Sequence, residues 1–353
     1  MSASPFQLGV DSIRNNSDEL VEKIMHKSVL TDGMRSYSPY QLDKCRRDTR
    51  YNLQFLCEAL LLASDSLWED YVRWLKFLLL SLGLNKHSLA EHFHTISDVL
   101  ASELEGESRA KVQDLCSRAF DLMEDEEYFQ VPALDPQNPY YQYAVEYKNY
   151  LLTAQKQKAM QLINDLAQQG TSIRNIHLDI LQPVQREIGN LWQANLVTVA
   201  QEHYCTGLTQ LAIAQLYPLL FSANPKHHKM IATCVSGELH EIGLRMVTDI
   251  MELDGWDTSF LGANMPHDSI VDMLAEQDAD LLAISVTFPL NLHKAESLIS
   301  RIRSDTKLNK VKIIVGGYPF LNDPKLWQQI GADSFASDAN LASRIALSMV
   351  EAR

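Results

Sequence analysis

The chain has 353 residues, and 31 lysines and arginines against 45 aspartates and glutamates give it a formal net charge of −14. That length suggests two or three domains with sizeable cores. Hydrophobic residues at 46% and charged residues at 22% are an ordinary globular balance and argue against a disordered chain. The acidic surplus argues against a built-in nucleic-acid surface, which needs excess lysine and arginine to displace counterions.

The best apolar run, Trp74 to Leu84, falls short of the roughly 20 residues of a membrane helix and contains Lys76. The start, Met1-Ser2-Ala3-Ser4-Pro5, has no basic region followed by an apolar core, so no secretory signal is expected. Five cysteines (Cys45, Cys57, Cys116, Cys205, Cys234) are widely spaced and form no Cys-x-x-Cys pair. Neither a disulfide framework nor a zinc site is indicated, and the reading is a reduced, cytoplasmic protein.

The expected architecture is multidomain, α followed by α/β. Residues 1–130 read as an all-helical domain. Leu53, Leu56 and Leu60, then Tyr71, Leu75, Leu78, Leu79 and Leu82, keep helical spacing, with Ser64-Asp65 as a stop and a fresh cap. Two more helices are expected near Leu89–Leu104 and Lys111–Met123. The 71–82 segment is apolar on nearly every side, which fits either a central core helix or the wall of a ligand cavity. Pro132, Pro136 and Pro139 mark 131–142 as a semi-rigid linker.

Helices resume at about 143–169, 172–190 and 196–221, a four-helix-type module spanning 143–225 with a break near Gly189. From residue 226 strand-like runs alternate with amphipathic helices: Met230–Val235, Asp257–Leu261, Leu281–Val286, Val311–Val315 and Ser334–Ala336. Five βα repeats predict a Rossmann-like, doubly wound parallel sheet over 226–353, with ligands beyond the carboxyl ends of its strands.

The turns after strands one, three and four carry the chemistry. They read Ser236-Gly237-Glu238-Leu239-His240-Glu241-Ile242-Gly243, then Ser285-Val286-Thr287, then Gly316-Gly317. An imidazole on the first loop is well placed to ligate a metal, and Glu238 could fix its tautomer. Gly243 gives room to a bulky ligand, Ser285 and Thr287 offer hydroxyls to a buried polar tail, and Gly316-Gly317 clears its path. Glu-x-His-x-x-Gly, Ser-x-Thr and Gly-Gly in this order resemble the cobalamin-binding fold of methionine synthases, mutases and cobalamin photoreceptors, over residues 229–353. The resemblance implies that His240 is the lower cobalt ligand, displacing the cofactor's dimethylbenzimidazole into the sheet. Glu238 stands where many members of that family have Asp.

The Trp192-x9-Glu202-His203 pattern resembles the cap of adenosylcobalamin-dependent photoreceptors related to the light-responsive carotenoid-gene repressors. It implies Trp192 over the adenosyl group, Glu202 on its ribose and His203 as upper cobalt ligand after photolysis. The alternative is a core tryptophan and an exposed Glu-His pair. The first domain lacks a basic recognition helix and is instead loosely similar to the globin-like sensor domain of photocobilins, which also bind a bilin such as biliverdin. Arg46, Arg47 and Arg50 could meet propionates and Tyr71 and Trp74 the rings; a solvated helix start over a packed core is the other reading. His92 and His94, two apart on a helix, make a poor metal pair.

Two functions follow. One is a light sensor, not an enzyme, holding adenosylcobalamin between cap and sheet, with the switch set by loss of the adenosyl group and passed on by a homo-oligomer or an unknown protein partner. The other is a corrinoid methyl carrier of a methyltransferase system, for which an adenosyl-covering Trp192 has no evident use. A radical mutase would need a substrate barrel that no stretch of the chain supplies.

Overall fold

A computed structural model describes residues 4–30, 37–125, 132–221 and 228–351. The chain divides into two compact units, residues 1–128 and 129–353. Among the described residues no helix is long and apolar enough to cross a membrane.

The first unit contains α1 (Gln7–Asn15), α2 (Ser17–Leu30), α3 (Pro39–Leu61), α4 (Asp65–Ser81), α5 (Lys86–Glu103) and α6 (Gly106–Glu124). Ser38 and Gln41 form a reciprocal capping box that starts α3, with Pro39 in the first turn. Ser64 accepts the Leu67 amide and starts α4, where the sequence places a fresh cap. Lys76, which interrupts the apolar run, turns its ammonium to the carbonyls of Leu122 and Asp125, terminating α6 from the side.

The α4 segment satisfies both readings of its apolarity. Trp68 and Tyr71 are buried in the core, whereas Leu75 and Leu79 also line a cavity of about 460 Å³ with Asn52, His92 and Phe93. The five residues read as a bilin slot are not gathered on that cavity. Arg46 and Arg50 face α2 and pair with Glu22 and Asp18 at 2.9 and 2.7 Å. Tyr71 stacks on Phe55 at 3.7 Å and donates to Asn52 Oδ1, so its ring is committed to the core. His92 and His94 diverge as their spacing requires. His92 lies between Ser28 and Thr49 with burial lowering it to about 4, and His94 packs on Phe120.

The second unit begins with a helical cap: α7 (Tyr141–Leu152), α8 (Lys156–Gln168), then α9 (Ile173–Asn175) running through a π-turn (Ile176–Leu181) into α10 (Gln182–Gln193), and α11 (Val199–Leu216). The expected single helix over 143–169 is split, because Ala154 takes a left-handed conformation at φ 56° and turns the chain back. No break occurs at Gly189; the irregularity is the π-turn one helical stretch earlier. Nor do residues 132–140 act as a spacer. Leu134 enters the cap core, Ala133 donates to Glu187, and the Asn138 amide donates to the Asp179 carbonyl.

The sheet comprises β1 (Lys229–Val235), β2 (Asp257–Met265), β3 (Leu281–Ser285), β4 (Lys312–Gly316) and β5 (Ser334–Phe335). These are linked by α12 (Ile242–Leu253), α13 (His267–Gln277), α14 (Leu292–Ser304), α15 (Tyr318–Asn322) and α16 (Leu326–Gln329), and followed by α17 (Ala339–Glu351). All pairings are parallel in the order β2-β1-β3-β4-β5. The strand order reverses between β1 and β3, so the crevice for a ligand opens beyond those two carboxyl ends. The cap shares its core with this domain through Met246 of α12.

Candidate functional site

Three of the expected loops meet at that crevice. Ser285 pairs in register with Cys234 on one side and Gly316 on the other, which sets the ends of β1, β3 and β4 side by side. Gly317 then passes so close to β3 that a Cβ there would lie 1.9 Å from the Val286 carbonyl oxygen. With φ at 116°, only glycine suits the position.

Glu238 is the hub of the site. Its side chain is fully buried. One oxygen, Oε1, accepts from the His240 amide at 3.1 Å and lies 2.5 Å from His240 Nδ1. The other, Oε2, accepts from the Thr287 and Phe288 amides at 3.0 and 2.8 Å and from Asn291 Nδ2 at 3.2 Å. The extra methylene of Glu over Asp spans this distance from the β1 loop to the β3 loop. Burial by itself would raise this carboxyl, but the hydrogen bonds from His240 and the backbone amides outweigh it and hold it below its usual range.

His240 is oriented by that carboxylate. A carboxylate only accepts, so Nδ1 carries the proton and the lone pair is left on Nε2. The hydrogen bond to Glu238 raises the imidazole pKa against the opposing effect of burial, and Glu202 of the cap adds to the rise. The side chain is nonetheless 62% exposed, next to the exposed Leu239. A Cβ on Gly243 would meet nothing within 4 Å, so there is open space at the α12 start, three residues after His240.

On the cap, Glu202 Oε1 accepts from Thr206 at 2.8 Å, and Thr206 in turn reaches Gln185 of α10. Glu202 Oε2 contacts His203 Nδ1. His203 is exposed, whereas Trp192, near the end of α10, is half-buried. Glu241, beside His240, accepts from Gln210 of α11 and from the Ala263 amide, joining the cap helix to the site loop.

Sequence reasoning missed Asn291, Asn264 and Lys294. Asn264 holds the Gly237 amide at 2.7 Å because β2 runs on to Met265 through register shifts against β1, four residues beyond its expected end. The residue types give no signal for these contacts. They depend on which loops the strand order brings together.

The donor set fits a corrinoid. No group of three or more His, Cys, Asp or Glu side chains able to hold a bare ion occurs among the described residues. A corrin ring supplies four nitrogens itself and asks the protein for one, and the exposed His240 imidazole could offer it.

Comparison with known proteins agrees. Residues 228–344 and 144–217 each match a family model described as a B12 binding domain. The second unit is a B12-binding module. The chain is similar to monomethylamine corrinoid protein 1 of Methanosarcina acetivorans, at 25% identity over 58% of this chain and 95% of that protein. The dimethylamine corrinoid protein of Methanosarcina barkeri is 29% identical over 31% of this chain and half of its own length. The structure of the Methanosarcina barkeri monomethylamine corrinoid protein shares the fold, with a TM-score of 0.51 at 23% identity over 57% of this chain and 96% of that one. The two B12-binding matches leave residues 1–143 uncovered.

Proposed function

We propose that the B12-binding module holds a corrinoid with His240 as the lower cobalt ligand, and that the chain is a corrinoid methyl carrier serving a partner methyltransferase. The observation that carries this reading is the exposed His240 imidazole oriented by a fully buried carboxylate, on a module similar to a corrinoid protein along 95% of that protein's length. When bound, a corrinoid would supply a cobalt able to accept and give up a methyl group. Glu238 holds the imidazole, while Ser285, Thr287 and the glycine pair at 316–317 would accommodate the nucleotide tail, and Leu239 and Gly243 would lie against the ring.

One observation favours a second reading. Glu202, in the first turn of α11, carries a negative charge within electrostatic reach of His240 and adds to the rise of its pKa. That placement suits adenosylcobalamin, with Glu202 on the ribose, Trp192 over the adenosyl group and His203 available after light, as in a photoreceptor. A bilin in the first unit is no part of either proposal, since Arg46, Arg50 and Tyr71 are already engaged.

An absorbance titration with methylcobalamin and adenosylcobalamin, in darkness and after illumination, separates the two. The carrier reading expects no preference for the adenosyl form and no light-dependent change in the protein. Tight selection of adenosylcobalamin that Trp192→Ala abolishes, with a light-driven change in size or conformation, would replace it with the sensor.

A further inference from the structure

We propose that Lys294 is a positioning residue for the lower cobalt ligand, acting through the side-chain amide of Asn291; this rests on the assignment of His240 as that ligand. Asn291 is buried between two groups of opposite demand. Glu238 Oε2, at 3.2 Å, can only accept, and the Lys294 ammonium, at 3.0 Å, can only donate. The amide therefore has one orientation, oxygen towards Lys294 and NH2 towards Glu238. Both neighbours enforce that orientation; without the ammonium the amide oxygen loses its donor, and the carboxylate alone is left to hold the side chain.

The same ammonium holds the loop a second time. It donates to the Ser236 carbonyl at 2.9 Å, two residues before Glu238. Between them Gly237 adopts φ 81°, and a Cβ there would lie 2.6 Å from Nζ. The loop passes close beneath the ammonium, in a left-handed conformation that favours glycine. Lys294 lies in the first turn of α14, where the helix dipole disfavours a cation. The two carbonyl oxygens it binds there account for its placement. Lys294 thus clamps the His240 loop at its backbone and, through Asn291 and Glu238, at its imidazole.

The test uses the full chain with reduced cobinamide, which lacks its own base, so that axial-nitrogen splitting in its Co(II) electron paramagnetic resonance spectrum comes from the protein. Cobalamin affinity is measured in parallel by absorbance. Lys294→Met should lower the His-ligated fraction and weaken cobalamin binding by about tenfold, the effect expected of a group orienting a metal ligand. Lys294→Arg should recover most of both, and Asn291→Leu should reproduce the loss without adding to it in the double variant. Lys294→Gln, also shorter and uncharged, gives the same reading should the methionine variant fold poorly. Wild-type splitting and affinity in Lys294→Met or Lys294→Gln would overturn the proposal. His240→Ala distinguishes that failure from failure of the underlying assignment: splitting that persists in His240→Ala removes the lower ligand itself.

Discussion

His177 Nε2 lies 2.9 Å from Asp249 Oδ2, both side chains buried, and this contact joins the π-turn of the cap to α12, the helix that leaves the His240 loop. Arg245 holds the other oxygen of Asp249 at 2.9 Å. His177 Nδ1 has no hydrogen-bond partner among the described residues. Asp249→Leu would strip His177 of its hydrogen bond to Asp249 and Arg245 of its carboxylate. A loss of about 3 kcal/mol is expected. It should appear in calorimetry as a lower temperature for the transition that cobalamin shifts upward.

Glu238→Gln keeps the shape of the hub but turns an NH2 towards either His240 or the Thr287 and Phe288 amides, donor against donor. Cobalamin affinity should fall by about 10- to 100-fold in an absorbance titration. Glu238→Asp is expected to fail as well, since the shorter arm cannot reach both loops. An aspartate variant that binds normally would show that the two-loop span is dispensable.

Two glycines should behave oppositely. Gly317→Ala drives a Cβ into the Val286 carbonyl at a left-handed backbone position and should cost 2 kcal/mol or more, by an order-of-magnitude estimate, in urea unfolding of the apoprotein. Gly243→Ala meets nothing in the fold and should leave the unfolding curve unchanged. Its cost is expected in cobalamin affinity instead, because the open space is where the ring would lie.

The pH responses of the two units have opposite signs. His240 has a raised pKa, so its stabilising effect is complete below the unfolded value near 6.5 and is lost as pH rises through the folded value. In the apoprotein its imidazole resonances should titrate above that reference. Cobalt must displace the same proton from Nε2, so acid should release His240 from the metal. His92 of the first unit sits at about 4 because burial disfavours its charged form. Its unfolded form takes up protons first, so stability falls between about pH 6.5 and 4, by up to ~3 kcal/mol. Melting of residues 1–128 within the full chain, at pH 7.5 and 4.5, checks the sign. His92→Gln should flatten the dependence.

The sequence by itself determined the parallel sheet, its strand-by-strand boundaries to within a few residues, and the Glu238–His240 pair. Strand periodicity, cap residues such as Ser64 and a motif of three residues are local properties, legible wherever they occur. It also placed Glu202 and His203 on a helix expected over about 196–221, which the structure starts at Val199 behind a capping box of Thr198 and Gln201. Only the tertiary structure decided what those residues touch. The strand order brought Asn291 and Lys294 from after β3 against a loop from after β1, and the bulged β2 delivered Asn264 to the same loop. It also turned Arg46 and Arg50 towards the acidic side of α2 and folded residues 132–140 onto the cap. Hydrogen bonds between segments some 50 residues apart, such as Glu238 to Asn291, carry no mark in the local chain, because their partners are chosen by topology and by the requirement that buried polar groups be satisfied.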